Sequence, residues 1–146
     1  MCSENKEYKE NSQAVQSHLG ILQSVIQRMA SNSSSSKAWC ITLVSAILVI
    51  VADKGNPNYA LIAIIPTFLF LVLDAYYLGL ENGFRNSYNE FIGKLHGEEI
   101  KSTDLFAVVP KGSPIKLFFK SLISFSVWPF YLTLFFMIYI AKCLLL

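Results

Sequence analysis

The chain is poor in the residue types that carry chemistry. It has two histidines and three cysteines in 146 residues, and neither histidine lies near a cysteine or a carboxylate pair at metal-ligand spacing. His18 and His96 are therefore read as surface residues, and neither a metal site nor a cofactor is expected. A glycine-rich phosphate loop, a nucleophile elbow and an HExxH motif are all missing, so the chain is read as not an enzyme. Cys2, Cys40 and Cys143 fall on distant parts of the predicted elements and do not form a disulfide framework. Charged residues make up 15% of the chain and the formal net charge is +2. The basic residues are too sparse, and too little interleaved with aromatics, for direct nucleic-acid binding. The first residues lack the apolar stretch and small-residue cleavage site of a signal peptide, and without that stretch Cys2 does not fit a lipoprotein.

Hydrophobic residues, by contrast, are abundant. The chain is 53% hydrophobic with a mean hydropathy of +0.45, more apolar than an ordinary soluble domain of this length. Residues 38–52 (AWCITLVSAILVIVA) and 59–73 (YALIAIIPTFLFLVL) are uncharged, and the polar residues 53–58 (DKGNPN) join them. Two apolar runs joined so closely pack antiparallel, and their outer ends emerge on the same side of a bilayer. Each run holds 15 residues, so each spans only if its helix continues, into residues 33–36 and 75–80 respectively. A third uncharged run, residues 121–141, lies between Lys120 and Lys142. As one helix it would cover roughly 30 Å, the thickness of a hydrocarbon core. The expected fold class is an all-α membrane protein: a transmembrane helical hairpin plus a third C-terminal span, with a cytoplasmic helical stalk. Two spans with an interfacial third segment is the alternative. Ten of the twelve Lys and Arg residues flank the hairpin on its open side, which the positive-inside rule assigns to the cytoplasm, together with the N-terminus.

Four segments follow. Residues 1–36 form a cytoplasmic helix and a serine-rich joint, 37–80 the hairpin, 81–116 a cytoplasmic helix extension and connector, and 117–146 the third span. Val15, Leu19, Leu22, Ile26 and Met29 recur at spacings of 4, 3, 4 and 3, the rhythm of a coiled-coil seam. This stripe either lies on the protein's own helices or forms an oligomerisation seam between subunits. Fewer than three heptads is marginal for an isolated coiled coil. Residues 31–36 (SNSSSS) predict a flexible kink that ends in a helix cap. The second apolar helix is expected to run on into a stalk through Tyr77, Glu81, Phe84, Arg85 and Tyr88, with Glu81 and Arg85 paired one turn apart. Gly79 and Gly83 mark a bend or a close helix contact. Pro66 is a candidate hinge in the second span, and Pro129 implies a kink in the third.

Asp74 is the most informative single residue. Folding the hairpin about its turn brings position 74 to the depth of position 37. An ionisable group in a bilayer centre costs about 2.5–3.5 kcal/mol on insertion scales, and less near the interface. Three readings stay open: a Lys37–Asp74 ion pair that sets hairpin register, a ring of these side chains at a pore mouth, or an Asp74 that marks the membrane boundary.

Residues 28–33 (RMASNS) with Lys37, Ala38 and Trp39, and the run Asp74-Ala75-Tyr76-Tyr77-Leu78 with Glu81, Phe84 and Arg85, resemble a group of small bacterial membrane proteins. These are the two-transmembrane effectors that accompany nucleotide-signalling, retron or related anti-phage modules. The resemblance covers about residues 14–96 and leaves out the third span. It implies a multi-pass protein of the bacterial inner membrane, held silent until infection, that then forms homo-oligomers and disrupts or permeabilises the bilayer. The implied partners are the lipid bilayer, further copies of the chain and a soluble cytoplasmic regulatory protein. The alternative from a different class is a non-toxic membrane adaptor or assembly subunit that docks a soluble partner.

Overall fold

The computed structural model describes residues 12–97 and 99–144. Cys2, Lys6 and Lys9 lie outside the described residues. Helices account for all regular structure among those described: α1 (Gln13–Lys54), a 3-10 helix (Pro57–Ala63), α2 (Ile64–His96), α3 (Pro114–Leu122) and α4 (Trp128–Leu144). α1 and α2 are long and apolar enough to cross a membrane; α4 is a shorter apolar helix.

Local chemistry sets most of these boundaries. The Ser12 hydroxyl accepts from the Val15 backbone N–H at 3.4 Å and starts α1. Gly55 ends it in the left-handed conformation at φ 64°, donating to the Val51 carbonyl. The Asn56 side chain then accepts from the Asn58 N–H at 3.2 Å and opens the 3-10 helix.

The structure departs from the sequence reading at three places. Residues 31–36 are not a joint, because α1 runs through them as one helix of 42 residues. The Ser36 hydroxyl donates to the Asn32 carbonyl one turn back at 2.9 Å, and Ser33 donates to Asp74, so both serines satisfy themselves without leaving the helix. The run 121–141 is not one continuous span. It breaks over residues 123–127, where Val127 and Trp128 both donate to the Ser124 carbonyl and the Ser124 hydroxyl accepts from the Ser126 N–H. Competing serine groups favour such a turn over helix. The two prolines lie at helix starts: Pro66 in the first turn of α2 and Pro129 at the second residue of α4. Neither removes an α-helical hydrogen bond there, so neither is the mid-helix hinge or kink expected.

One buried stripe runs the length of α1, through Val15, Leu22, Met29, Ser33, Ser36, Cys40, Val44 and Val51. Its period holds while its chemistry changes from apolar to serine and back to apolar. α2 packs along this stripe. At one end Val15, Phe91 and Leu95 form a small core. Toward the other, Cys40, Val44, Ala63, Val127, Tyr131, Leu134 and Ile138 form a larger one that binds α4 to the hairpin. The Tyr131 hydroxyl donates to the Phe70 carbonyl at 3.0 Å, and α4 packs on from there along the 3-10 helix.

After α2 the chain turns back along the same helix. The Lys111 N–H donates to the Gly83 carbonyl at 2.9 Å, and Ser87 donates to the Val109 carbonyl at 2.6 Å. Glycine is needed at the crossing at position 83, where a Cβ would lie 2.8 Å from Pro110 Cβ, while one on Gly79 would make ordinary contact with the Leu117 backbone at 3.4 Å. These two glycines thus mark a close approach.

Candidate functional site

Between the two apolar cores the helix interface becomes ionic. Asp74 on α2 is completely buried beside the small residue Ala75. Lys37 on α1 brings its ammonium to 2.6 Å from Asp74 Oδ2. Ser33, one turn earlier on α1, donates its hydroxyl to Asp74 Oδ1 and accepts from Lys37 Nζ at 3.3 Å. Both carboxylate oxygens therefore face α1 partners, and the three side chains close into a ring. The Lys37 side chain keeps 20% exposure, so its stem lies in the interface while the cluster reaches its edge.

The depth of this cluster follows from helix geometry. The rise of the 3-10 helix and of α2 as far as Asp74 comes to roughly 30 Å, one hydrocarbon thickness. Polar side chains deeper in the hairpin engage backbone carbonyls: Thr67 donates to Ala63 at 2.7 Å and Tyr131 to Phe70. The charged pair thus closes the apolar part of the hairpin on the side where α1 and α2 run on. Ser33 went unnoticed in the sequence because residues 31–36 read as a joint. Its position one turn before Lys37 was the available signal.

Beyond the cluster the expected stripe and stalk meet each other. Val15, Leu22 and Met29 are buried, and Leu19 and Ile26 half-buried, with α2 packed against them. On α2, Tyr77, Phe84 and Tyr88 are half-buried, and Gln23 donates to the Tyr88 hydroxyl at 3.4 Å. Glu81 is buried and binds Arg85 one turn on, Nη2 to Oε1 at 2.8 Å. Within the single chain the stripe is largely covered, with Leu19 and Ile26 keeping partial exposure.

His18 is not the surface residue its isolation in the sequence suggested. It is 2% exposed, with its ring 4.3 Å from that of Phe91. Nδ1 accepts from the Phe106 N–H at 3.0 Å, which leaves the proton of the neutral ring on Nε2. Burial pushes the imidazole pKa down, and the nearby Asp104 carboxylate opposes this. Phe106 is held in the left-handed region at φ 63°, a conformation that costs a side-chain-bearing residue about 1–2 kcal/mol. Spacing carried the signal, since His18 falls three residues after Val15 and four before Leu22.

Ion pairs hold the connector over this point. Lys94 reaches Asp104 at 2.8 Å and Lys111 reaches Glu90 at 2.6 Å. The hydrogen bond from Lys94 lowers the Asp104 pKa, with the Lys101 N–H assisting. A cavity of about 120 Å³ remains between connector and stalk, lined by His18, Leu22 and Phe91 together with Lys94, Asp104 and Lys111. Among the described residues there is no group of three or more His, Cys, Asp or Glu side chains that could hold a metal.

No protein family, curated protein or solved structure matches this chain.

Proposed function

We propose that this protein is the membrane effector of a bacterial anti-phage defence system, and that it oligomerises and permeabilises the inner membrane. The effector role is what the resemblance of residues 14–96 implies, and the observation that supports a silent state is the buried Lys37–Asp74–Ser33 ring where the apolar part of the hairpin ends. Paired within one chain, these charges close the hairpin and set its register. If hairpins associate and the pair separates, each copy supplies one acidic and one basic group to the cytoplasmic mouth of an assembly. Opposed charges at that depth are costly to part, so the paired form is the silent one. The covered stripe from Val15 to Met29 fits the same scheme, because separating the stalk would free it for another copy.

In this proposal the protein is multi-pass with a cytoplasmic N-terminus and stalk, α4 is the third span, and no catalysis is involved. Its partners are lipid, further copies of itself and a soluble cytoplasmic regulator. The test is membrane-confined cross-linking in cells before and after phage challenge. Resting wild-type chains should run as monomers and challenged ones as a ladder, whereas Leu22→Asp with Ile26→Asp should give no ladder while staying in the membrane fraction. A ladder that survives the double substitution would exclude this stripe as the assembly surface. A monomer under every condition, with a soluble protein captured instead, would favour the adaptor.

A further inference from the structure

We infer that α3 is a surface-lying helix that binds anionic lipid headgroups through Lys116 and Lys120. The inference rests on the membrane reading of the hairpin and adds a lipid specificity to it. α3 has three sides. Leu117 and Ser121 face α2, where the Leu117 backbone lies 3.4 Å from a Cβ position on Gly79 and Ser121 accepts from Asn82 at 3.4 Å. Ile115, Phe119 and Ile123, four residues apart, form a second side that is exposed among the described residues; they are 69%, 56% and 75% exposed, and Phe125 beyond them is 84% exposed. Lys116 and Lys120, one step round from that stripe, form the third. Both are exposed and neither has a hydrogen bond or ion pair among the described residues. Lys94 of α2 and Lys111 of the connector differ, since both are paired with acids.

The level of α3 on α2 suits a bilayer surface. Gly79 lies about 7 Å beyond Asp74 along the helix, just outside the hydrocarbon edge that Asp74 marks. A helix held there, with an apolar stripe on one side and lysines beside it, has the form of an interfacial helix. Trp128 and Leu132 of α4 and Tyr76 of α2 are exposed as well, and lipid covering the apolar faces of α2 and α4 would cover a stripe held at this level. Lysines at that level meet headgroups, and each adjacent positive charge favours an anionic lipid by about fivefold.

Quenching of a single tryptophan tests this. In full-length Trp39→Phe, Trp128 is the remaining tryptophan, and it opens α4 just beyond the turn that follows α3. The protein is reconstituted into phosphatidylcholine vesicles containing a small fraction of either brominated phosphatidylglycerol or brominated phosphatidylcholine. The expected result is a preference for the glycerol lipid of up to about 25-fold, which falls about fivefold in Lys116→Gln and in Lys120→Gln, is lost in the double variant and weakens at high salt. Both lysines are exposed, so these variants should incorporate normally, as judged by resistance to alkaline extraction. Equal quenching by the two lipids, or a preference unchanged in the double variant, overturns the inference while leaving the membrane reading intact. A chain that alkaline extraction removes from both vesicle types overturns the membrane reading itself, and this inference with it.

Discussion

Asp74 is fully buried, and its two oxygens face Ser33 and Lys37. Removing one partner of such a pair strands the other charge, whereas replacing both by apolar groups of similar size costs little. Asp74→Ala should therefore lower stability by about 3 kcal/mol, and Lys37→Met with Asp74→Leu should return to within about 1 kcal/mol of wild type. Denaturant titration in detergent measures both. An additive double variant would show that the pair is not coupled. His18 gives a second prediction at this scale. Its pKa is lowered when the connector is docked, so the undocked form binds the proton more readily. Docking is then at full strength above the ordinary histidine pKa of about 6.5 and is lost progressively as pH falls below it. Proteolysis within residues 99–113 should accelerate on acidification through that range, and His18→Leu should remove the pH dependence. The Lys37–Asp74 pairing was legible from the sequence, because counting outward from a short turn fixes depth in an antiparallel hairpin. The His18 contact with Phe106 was not, since it joins residues 88 positions apart in sequence.

Helix boundaries show a second kind of limit. The uncharged run 38–52 falls inside α1, and the run 59–73 falls across the 3-10 helix and the start of α2, because hydrophobic period and length act locally. The serine run misled because serine in isolation favours turns, while here Ser33 and Ser36 belong to the buried stripe that α2 covers. The break at residues 123–127 went unseen for the converse reason. Two serines in an uncharged stretch leave hydropathy high while offering the backbone other partners. Gly83 is where an element-scale contact can be tested. A methyl group there meets Pro110 at 2.8 Å, so Gly83→Ala should shift the connector and cost about 1–3 kcal/mol. Gly79→Ala, with ordinary contact at 3.4 Å and a gain in helix propensity of up to about 1 kcal/mol, should be close to neutral. Hydrogen exchange at Lys111, whose N–H binds the Gly83 carbonyl, distinguishes them: it should speed up in the first variant and not in the second.

At the scale of the whole molecule, two long helices share one continuous seam that is apolar at both ends and ionic between them. The all-helical class was readable from composition and runs. The fold-back of the connector and the docking of α4 were not, since both depend on close approaches between distant parts of the chain, at Gly83 with Pro110 and at Phe70 with Tyr131. Whether this seam is the resting form of a membrane-permeabilising assembly is tested most directly by the membrane potential of bacteria expressing the chain, followed by a potential-sensitive dye through phage challenge. The account predicts depolarisation with wild type and none with Lys37→Met/Asp74→Leu, the variant that keeps the fold but lacks the charges. A potential that holds steady with wild type, or that collapses equally with the charge-free variant, would contradict it.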